Sequence, residues 1–399
     1  MSRLFAARGP GLTEHHARFG RLPAGCAKTL VSSLEQAGLT GRGGAGFPTA
    51  RKIASVTGRK PVVIGNGAEG EPLSRKDATL LTRSPHLVLD GLQLAAEAVG
   101  STTIYLYVPD RVAATARFAI AERAKAGWDK HPVTVMEAPD RFVSGEESAV
   151  VASIEGRRAL PRDRTVLTST SGVRGRPTLV NNVETLAHVA LIARYDHRWF
   201  RSVGDPAQPG TMLVTVSGAS DGQSVVEVPT GTPLVDLLSD DAARYSRAAL
   251  IGGYHGSWIP SSAFPQAALS RAGLAHLGAN PGAGIVHTLP TDECGLARTA
   301  DIVAYLAEQG AGQCGPCLNG LPRLAALFDE LAYEHVDDSL LAELHRVLGL
   351  VDGRGSCRHP DGTVRMARSA LAVFAHDVEQ HRVGRCEAAF ATVQGECRS

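Results

Sequence analysis

From residue 61 onward, apolar runs of two lengths alternate. "PVVIGN" (61–66), "TTIYLYVP" (102–109) and "PVTVMEAP" (132–139) are short and rich in β-branched residues, and they predict buried strands. Between them, "SPHLVLDGLQLAAEAVG" (84–100) and "VAATARFAIAERAKAG" (112–127) are long enough to predict helices. This alternation predicts an α/β domain with a largely parallel sheet, reaching to about residue 205. Ahead of it, "AKTLVSSLEQAGL" places Leu30, Val31, Leu34 and Leu39 at roughly helical spacing. "PAQPG" (206–210) reads as a linker by composition. Short strands and a helix follow in "TMLVTVSGA", "SVVEVPTGTPLVDLLS" and "AALIGGY", as in a small α+β module ending near 290. After Cys294 four helical segments joined by glycine turns predict a bundle. The expected division is 1–205, 206–290 and 291–399.

Composition narrows the classes. A chain of 399 residues has room for two or three cores, and 41 basic against 40 acidic residues leave a net charge of +1. That balance argues against an electrostatic nucleic-acid binder. The first residues carry no sustained apolar stretch, and no run approaches the roughly 18–20 apolar residues of a spanning helix. The expectation is a cytoplasmic protein without direct membrane insertion, peripheral at most on the inner face of a membrane complex. Seven irregularly spaced cysteines are unlike a secreted disulfide framework. Cys314, Cys317 and Cys357 lie in glycine-rich stretches, which suits metal or redox chemistry.

The candidate chemistry begins at "GRGGAGFPTARK" (41–52). Gly41-x-Gly43-x-x-Gly46 has dinucleotide-turn spacing, but a Rossmann fingerprint needs a strand just before it. Here a helix precedes and the strand comes after. Packed glycines still let backbone N–H groups approach a planar or phosphorylated ligand, with Arg42 and Lys52 adding positive charge. In "GNGAEGEPLSRKD" (65–77), Asn66 ends a strand, where α/β folds place ligands. Glu69 and Glu71 there are candidate partners for ribose or ring groups, or a solvated acidic turn. In "FVSGEESAVV", Gly145 permits close approach, while Glu146 and Glu147 either serve a ligand or complement a helix dipole. In "RPTLVNNVETLAHV", Asn181 and Asn182 either read a flat heterocycle or cap a helix.

Together these four stretches resemble one family over residues 30–382. It is the NADH-oxidising flavoprotein subunit of respiratory complex I, with its relatives in formate dehydrogenases and soluble hydrogenases. The resemblance implies a Rossmann-like FMN-binding domain with an atypical glycine loop. A β-grasp module of the SLBB type and a helical bundle carrying an iron–sulfur cluster would follow. It places Gly41, Arg42, Gly43, Gly44, Lys52, Asn66, Gly145, Glu146, Asn181 and Asn182 around FMN. Phe47, Lys52, Glu69, Phe142 and Glu147 would face NADH, with Glu69 and Glu147 nearest the chemistry. Hydride would pass to the flavin and electrons singly to iron–sulfur. The partner would be a ferredoxin-like or other iron–sulfur subunit, or a membrane reductase.

Three positions depart from the family pattern. Its "NADE" reads "NGAE" here, with Ala68 in place of the aspartate. Its adenine-stacking aromatics correspond to Ser55 and Leu167. Its "SCGQCTPC" reads "GAGQCGPC", so Cys314, Cys317 and Cys357 match while Ala311 stands for the first ligand. A [4Fe–4S] cluster would need a fourth ligand from elsewhere in the chain, with His359 nearest and Cys386 another candidate; a [3Fe–4S] cluster would not. Cys294 is read as core. "CGPC" also has the form of a thioredoxin dithiol, but a helix rather than a strand precedes it. A zinc site of three cysteines and His359 is the other metal reading. The altered adenine positions support one functional alternative: an FMN and iron–sulfur relay without NADH, between ferredoxin-type and membrane partners. A non-catalytic scaffold is the third class.

Overall fold

A computed structural model of the chain describes residues 2–163, 165–218, 222–334 and 336–388. The chain forms two compact units, Met1–Val214 with Val225–Gly231, and Thr215–Ser224 with Thr232–Ser399.

The first unit begins with helices α1 (Leu12–Phe19), α2 (Leu30–Ala37) and α3 (Thr49–Ala54). Then come β1 (Val62–Asn66), α4 (Lys76–Arg83), α5 (Pro85–Val99), β2 (Thr103–Pro109), α6 (Asp110–Lys125) and β3 (Val133–Ala138). α7 (Glu147–Ile154), β4 (Thr178–Asn182) and α8 (Val183–Arg201) follow. The four strands form a parallel sheet in the order β3-β2-β1-β4. Strand alternation divides its side chains. Val63, Leu106 and Leu179 pack with apolar residues of α2, α5 and α8, while Val62, Ile64, Tyr107 and Val180 pack with Val150 and Val151 of α7. The chain winds outward from β1 through β2 to β3, then returns to lay β4 on the other side of β1. That reversal opens a crevice at the carboxyl ends of β1 and β4.

α5 is apolar nearly all round, as a helix buried on every side must be. Pro85 opens it, and Gly100, at φ 70°, closes it in the left-handed conformation. Leu87, Leu89, Leu92 and Leu94 are almost wholly buried, each worth about 1.5–3 kcal/mol over exposure. At Gly91 a Cβ would lie 1.8 Å from the carbonyl oxygen of Leu186, so α5 and α8 touch backbone to backbone. One residue earlier, buried Asp90 accepts from His15 Nε2 (2.8 Å), Arg123 (2.8 Å), Trp128 Nε1 (3.3 Å) and Arg194. Burial alone would push this carboxyl up, but His15, Arg123 and Arg194 outweigh it and hold it well below the usual carboxylate range. α1, α6 and α8 are thereby tied to α5.

The predicted linker at 206–210 is a tight ribbon instead. β5 (Gly204–Asp205) pairs with β6 (Gln208–Pro209) across Pro206 and Ala207. Proline and alanine fit the turn between two strands as well as they fit a linker.

β7 (Thr211–Ser217) starts in the first unit and ends in the second, whereas β8 (Ser224–Pro229) starts in the second and continues in the first. The second unit continues with α9 (Asp240–Arg244), β9 (Ser246–Ile251), β10 (Ser257–Pro260), α10 (Arg271–Ala275) and β11 (Ile285–Pro290). The five-stranded sheet is mixed, in the order β10-β9-β11-β7-β8, with β11 parallel to β7 and antiparallel to β9. α11 (Gly295–Glu308), α12 (Leu321–Tyr333), α13 (Asp338–Val351), α14 (His359–Val373) and α15 (Ala375–Arg382) complete the helical part. Their buried residues fall on one stripe each, as in Leu324, Leu327, Phe328 and Leu331 of α12. Asp337 caps α13 by accepting from Leu340 N at 2.8 Å. β9, β10 and β11 fall in the second unit together with these helices.

Candidate cofactor site

The glycine loop is pinched at its neck. Gly41 N donates to Phe47 O (2.9 Å), Thr49 N donates to Leu39 O (2.9 Å), and Thr40 bridges Pro48. Gly44 and Gly46 have φ of 99° and 64°, which side-chain-bearing residues rarely adopt. A Cβ at Gly43 would lie 3.4 Å from Asn182 Cβ, so the loop lies against the end of β4. Phe47, at the loop's shoulder, is 54% exposed.

Beneath the loop, register places Gly65 beside Asn181 and Asn66 beside Asn182. Asn66 accepts from Ala68 N (3.1 Å) and donates to Gly145 O (2.9 Å). Asn182 caps α8 by accepting from Glu184 N (3.0 Å) and donates to Asp77 at 2.6 Å. Asn181 is buried, and its Nδ2 has no partner among the described residues. An unmet buried donor costs roughly 1–3 kcal/mol unless a ligand takes its hydrogen bond. A flat heterocycle with ring carbonyls and nitrogens supplies such an acceptor, so these residues fit FMN.

Gly145 packs on Ala68, whose carbonyl oxygen is 3.2 Å from where a Cβ would stand. Ala68 thus fills the place of the family's aspartate with a close backbone contact. Glu146 caps α7, accepting from Ser148 N (2.8 Å), Ala149 N (3.2 Å) and the Ser148 hydroxyl. Lys52 pairs with Glu147 at 2.9 Å, both partly exposed. Phe142, in the turn that precedes α7, is partly buried. Ser55 and Leu167 are exposed, Leu167 at 70%.

Two candidates are buried and bonded within the protein. Arg42 is buried: its backbone N donates to Thr185 Oγ1 (2.9 Å) and its guanidinium donates to Pro209 O (3.3 Å). It braces the loop against α8 and the ribbon, while its Nε has no partner among the described residues. Glu69 is buried too, and its carboxylate accepts from Ser74 Oγ (2.6 Å), Asp77 N (2.9 Å), Ala78 N (3.2 Å) and Arg111 (3.3 Å). Those bonds satisfy free N–H groups that open α4, so Glu69 holds the strand-end loop against that helix.

Sequence reasoning missed the charge cluster behind the crevice. Lys76 Nζ lies 2.8 Å from both Asp77 and Glu184, all three buried. Burial would pull Lys76 down, but the two carboxylates outweigh it and hold it above its ordinary value. Burial would push Glu184 up, but Lys76, His188 and Arg42 bring it down to about 2. At Asp77 burial wins, with Glu69 and Glu184 adding to it against Lys76, and the carboxyl is raised to about 6. The "SRKD" and "NNVET" stretches carried the signal, in charged residues abutting predicted buried elements.

In the second unit, Cys317 and Cys357 are buried and Cys314 is half-buried. Cys317 sits in a wide helical turn, Pro316–Gly320, that leads into α12. Burial pushes its thiol up to about 11, with the Cys314 and Cys357 sulfurs adding to the shift, so the three thiols share one neighbourhood. Three soft sulfurs in a glycine-rich turn fit an iron–sulfur cluster. Ala311 brings no fourth sulfur. His359 does not fill the gap, since Nδ1 faces His255 Nε2 at 3.1 Å and Nε2 faces Leu306 O at 2.8 Å. With both ring nitrogens engaged inside the protein, it has no lone pair to offer iron. Cys386 lies elsewhere, beside Cys294 and His381. Cys294, read as core, is half-exposed in that group. A cavity under residues 21–27, lined by Asp90, Arg123 and Trp128 among others, includes none of the cofactor candidates.

Two family models match the chain: the Nuo51 FMN-binding domain over residues 34–191, and the NADH-ubiquinone oxidoreductase-F iron-sulfur binding region over residues 297–381. An F-type subunit of NADH-quinone oxidoreductase from Rhizobium meliloti is 29% identical over 372 residues, covering 88% of each chain. The corresponding F-type subunit of Escherichia coli is 29% identical, covering 88% of this chain and 83% of that one. Among solved structures, the air-oxidised NAD+-reducing [NiFe]-hydrogenase matches with a TM-score of 0.81 at 29% identity. That match covers 88% of this chain but 62% of the hydrogenase chain, under two thirds of its length. Glycine cradle and cysteine turn thus fall inside the two matched regions, and the chain belongs to the family that joins a Nuo51-type FMN-binding domain to the iron–sulfur binding region of NADH-ubiquinone oxidoreductase-F.

Proposed function

We propose that the chain is the NADH-oxidising subunit of a multi-subunit electron-transfer complex, with FMN in the glycine cradle and an iron–sulfur cluster on Cys314, Cys317 and Cys357. The observation that carries this reading is the unpartnered Nδ2 of buried Asn181, at the end of β4 next to Asn182, against which Gly43 of the glycine loop lies. When bound, FMN supplies the step from a two-electron hydride donor to one-electron acceptors.

The chain's own residues do the rest. Gly41, Gly43 and Gly44 bring main chain against the flavin where a side chain would intrude. Asn181 donates to its ring edge, and Asn66 and Asn182 hold the floor through their bonds to Gly145 and Asp77. Gly145 lets the main chain before α7 come close to the flavin, while Glu146 caps that helix. Phe47 and Phe142 flank the nicotinamide and keep water off it. The Lys52–Glu147 pair, still partly open to solvent, meets the nucleotide's polar groups. Exposed Ser55 and Leu167 leave the adenine less stacked, so nucleotide affinity rests on the nicotinamide end.

We read the mixed sheet as a β-grasp module of the SLBB type; the parallel β11–β7 pair at its centre supports that. The expected partner is an iron–sulfur protein that draws electrons from the cluster, and the chain is expected on the cytoplasmic face. Among the described residues no helix is long and apolar enough to cross a membrane. Anaerobic stopped-flow mixing with NADH tests the proposal. Bleaching of flavin absorbance within one turnover is expected; intact flavin colour at millimolar NADH would overturn it in favour of a relay that has lost the nucleotide.

A further inference from the structure

Three residues outside the cofactor site converge in the second unit. Cys294 precedes the first turn of α11, His381 lies near the end of α15, and Cys386 follows α15. Cys294 Sγ, Cys386 Sγ and a ring nitrogen of His381 all lie within 4.8 Å of one another. Cys294 Sγ stands 3.7 Å from His381 Nε2. Ligand atoms on a tetrahedral zinc ion are spaced about 3.5–3.8 Å apart, given bonds of about 2.0–2.3 Å.

The histidine is oriented from behind. Its Nδ1 is 3.1 Å from the Leu331 carbonyl of α12, which accepts a hydrogen bond and can do nothing else. The proton therefore sits on Nδ1, and the Nε2 lone pair faces Cys294 Sγ, with Cys386 Sγ in the same group. This backbone-fixed tautomer is how metal-ligating histidines are commonly held. Neither cysteine is in a disulfide, and both are half-exposed, so an ion has a way in. Nearby carboxylates are already engaged: Asp377 with Arg247, and Glu387 with His376 and Arg247. The fourth position is left to water.

We propose that Cys294, His381 and Cys386 bind a single zinc ion, separate from the iron–sulfur cysteines, and that the ion pins the segment after α15 to the start of α11. Two thiolates and an imidazole select a soft or borderline dication, and tetrahedral geometry favours zinc. Binding releases the two thiol protons to solvent and changes no oxidation state.

The test uses full-length protein purified anaerobically from zinc-supplemented medium. Elemental analysis is expected to give about one zinc per chain beyond the cluster iron. X-ray absorption at the zinc edge should fit two sulfurs at about 2.3 Å and nitrogen or oxygen at about 2.0–2.1 Å. Cys294→Ser, Cys386→Ser and His381→Gln should each lose at least four fifths of the zinc while keeping wild-type iron and flavin content. Cys26→Ser should keep all of it. A 294–386 disulfide in the anaerobic protein, zinc below one fifth of an equivalent, or an all-sulfur zinc shell would each overturn the proposal. Iron and flavin are counted in the same samples, so failure here is distinguishable from failure of the redox assignment.

Discussion

Around Gly43 the protein offers main chain to its cofactor; around Cys317 it offers side chains. In the cradle, glycines clear space, strand ends aim two asparagines, and most polar groups are satisfied before any ligand arrives. A substitution such as Ala68 is absorbed there, because the Asn66 amide keeps its bond to Gly145 O and Gly67 N keeps its bond to Tyr107 O. At the cysteine turn each ligand is a single atom. Replacing one by Ala311 removes a quarter of a four-thiolate shell, and neither His359 nor Cys386 supplies it. Sites built from backbone degrade gradually, and sites built from donor atoms lose discrete valences.

The largest effect that would test this contrast is Cys317→Ser. With three thiolates at hand the cluster has none to spare, and its absorbance and EPR signal should vanish while flavin remains. Retention of a full cluster would break the comparison. Next is Lys76→Met, which leaves Asp77 and Glu184 buried without their cation. A stability loss of about 3–5 kcal/mol is expected in denaturant unfolding, with flavin released early. Asn181→Ala should be milder: removing one donor should weaken FMN binding about tenfold, measured by flavin fluorescence on dilution. A cradle built mainly from backbone should survive it, so total loss of flavin would show that side chains dominate there too.

A pH experiment sharpens the picture further. Asp77 is raised in the folded state to about 6 from an ordinary value of 3.8. Its contribution is therefore full below about pH 4 and lost as pH rises through 6. Wild type should lose up to about 3 kcal/mol across that window relative to Asp77→Asn. Equal pH profiles for the two would show that Lys76 fully compensates the burial. The smallest expected change is Leu167→Phe. An added stacking ring at the exposed adenine position should tighten NADH by about threefold to tenfold, read as the half-saturating NADH concentration for flavin bleaching.

Much of the fold was legible in the pattern. Runs such as Val62–Ile64 and Thr103–Val108 suit only a pleated, buried surface, and α5 is too long and too apolar for anything but a core helix. Site positions at strand ends were legible for the same reason, since register carries Asn66 and Asn182 to neighbouring places. What was hidden depends on where long side chains travel. The Arg42 guanidinium turns inward to Pro209 O, and no local spacing encodes that. Glu69 looks like an acidic turn until α4 presents its free N–H groups to it. His359 was nearest to the cluster in sequence, yet His255, from the loop between β9 and β10, claims its ring. The Cys294–His381–Cys386 group was invisible because five helices separate its members along the chain.

Gly91 never approaches a ligand, yet α8 rests directly on it, with no room for one methyl group. α8 starts just after Asn181 and Asn182, so its seating on α5 sets how deep those amides stand. Enlarging residue 91 would lift the whole helix like a shim under a beam, and the two amides with it. The height of those amides is thus calibrated by an atom that is missing.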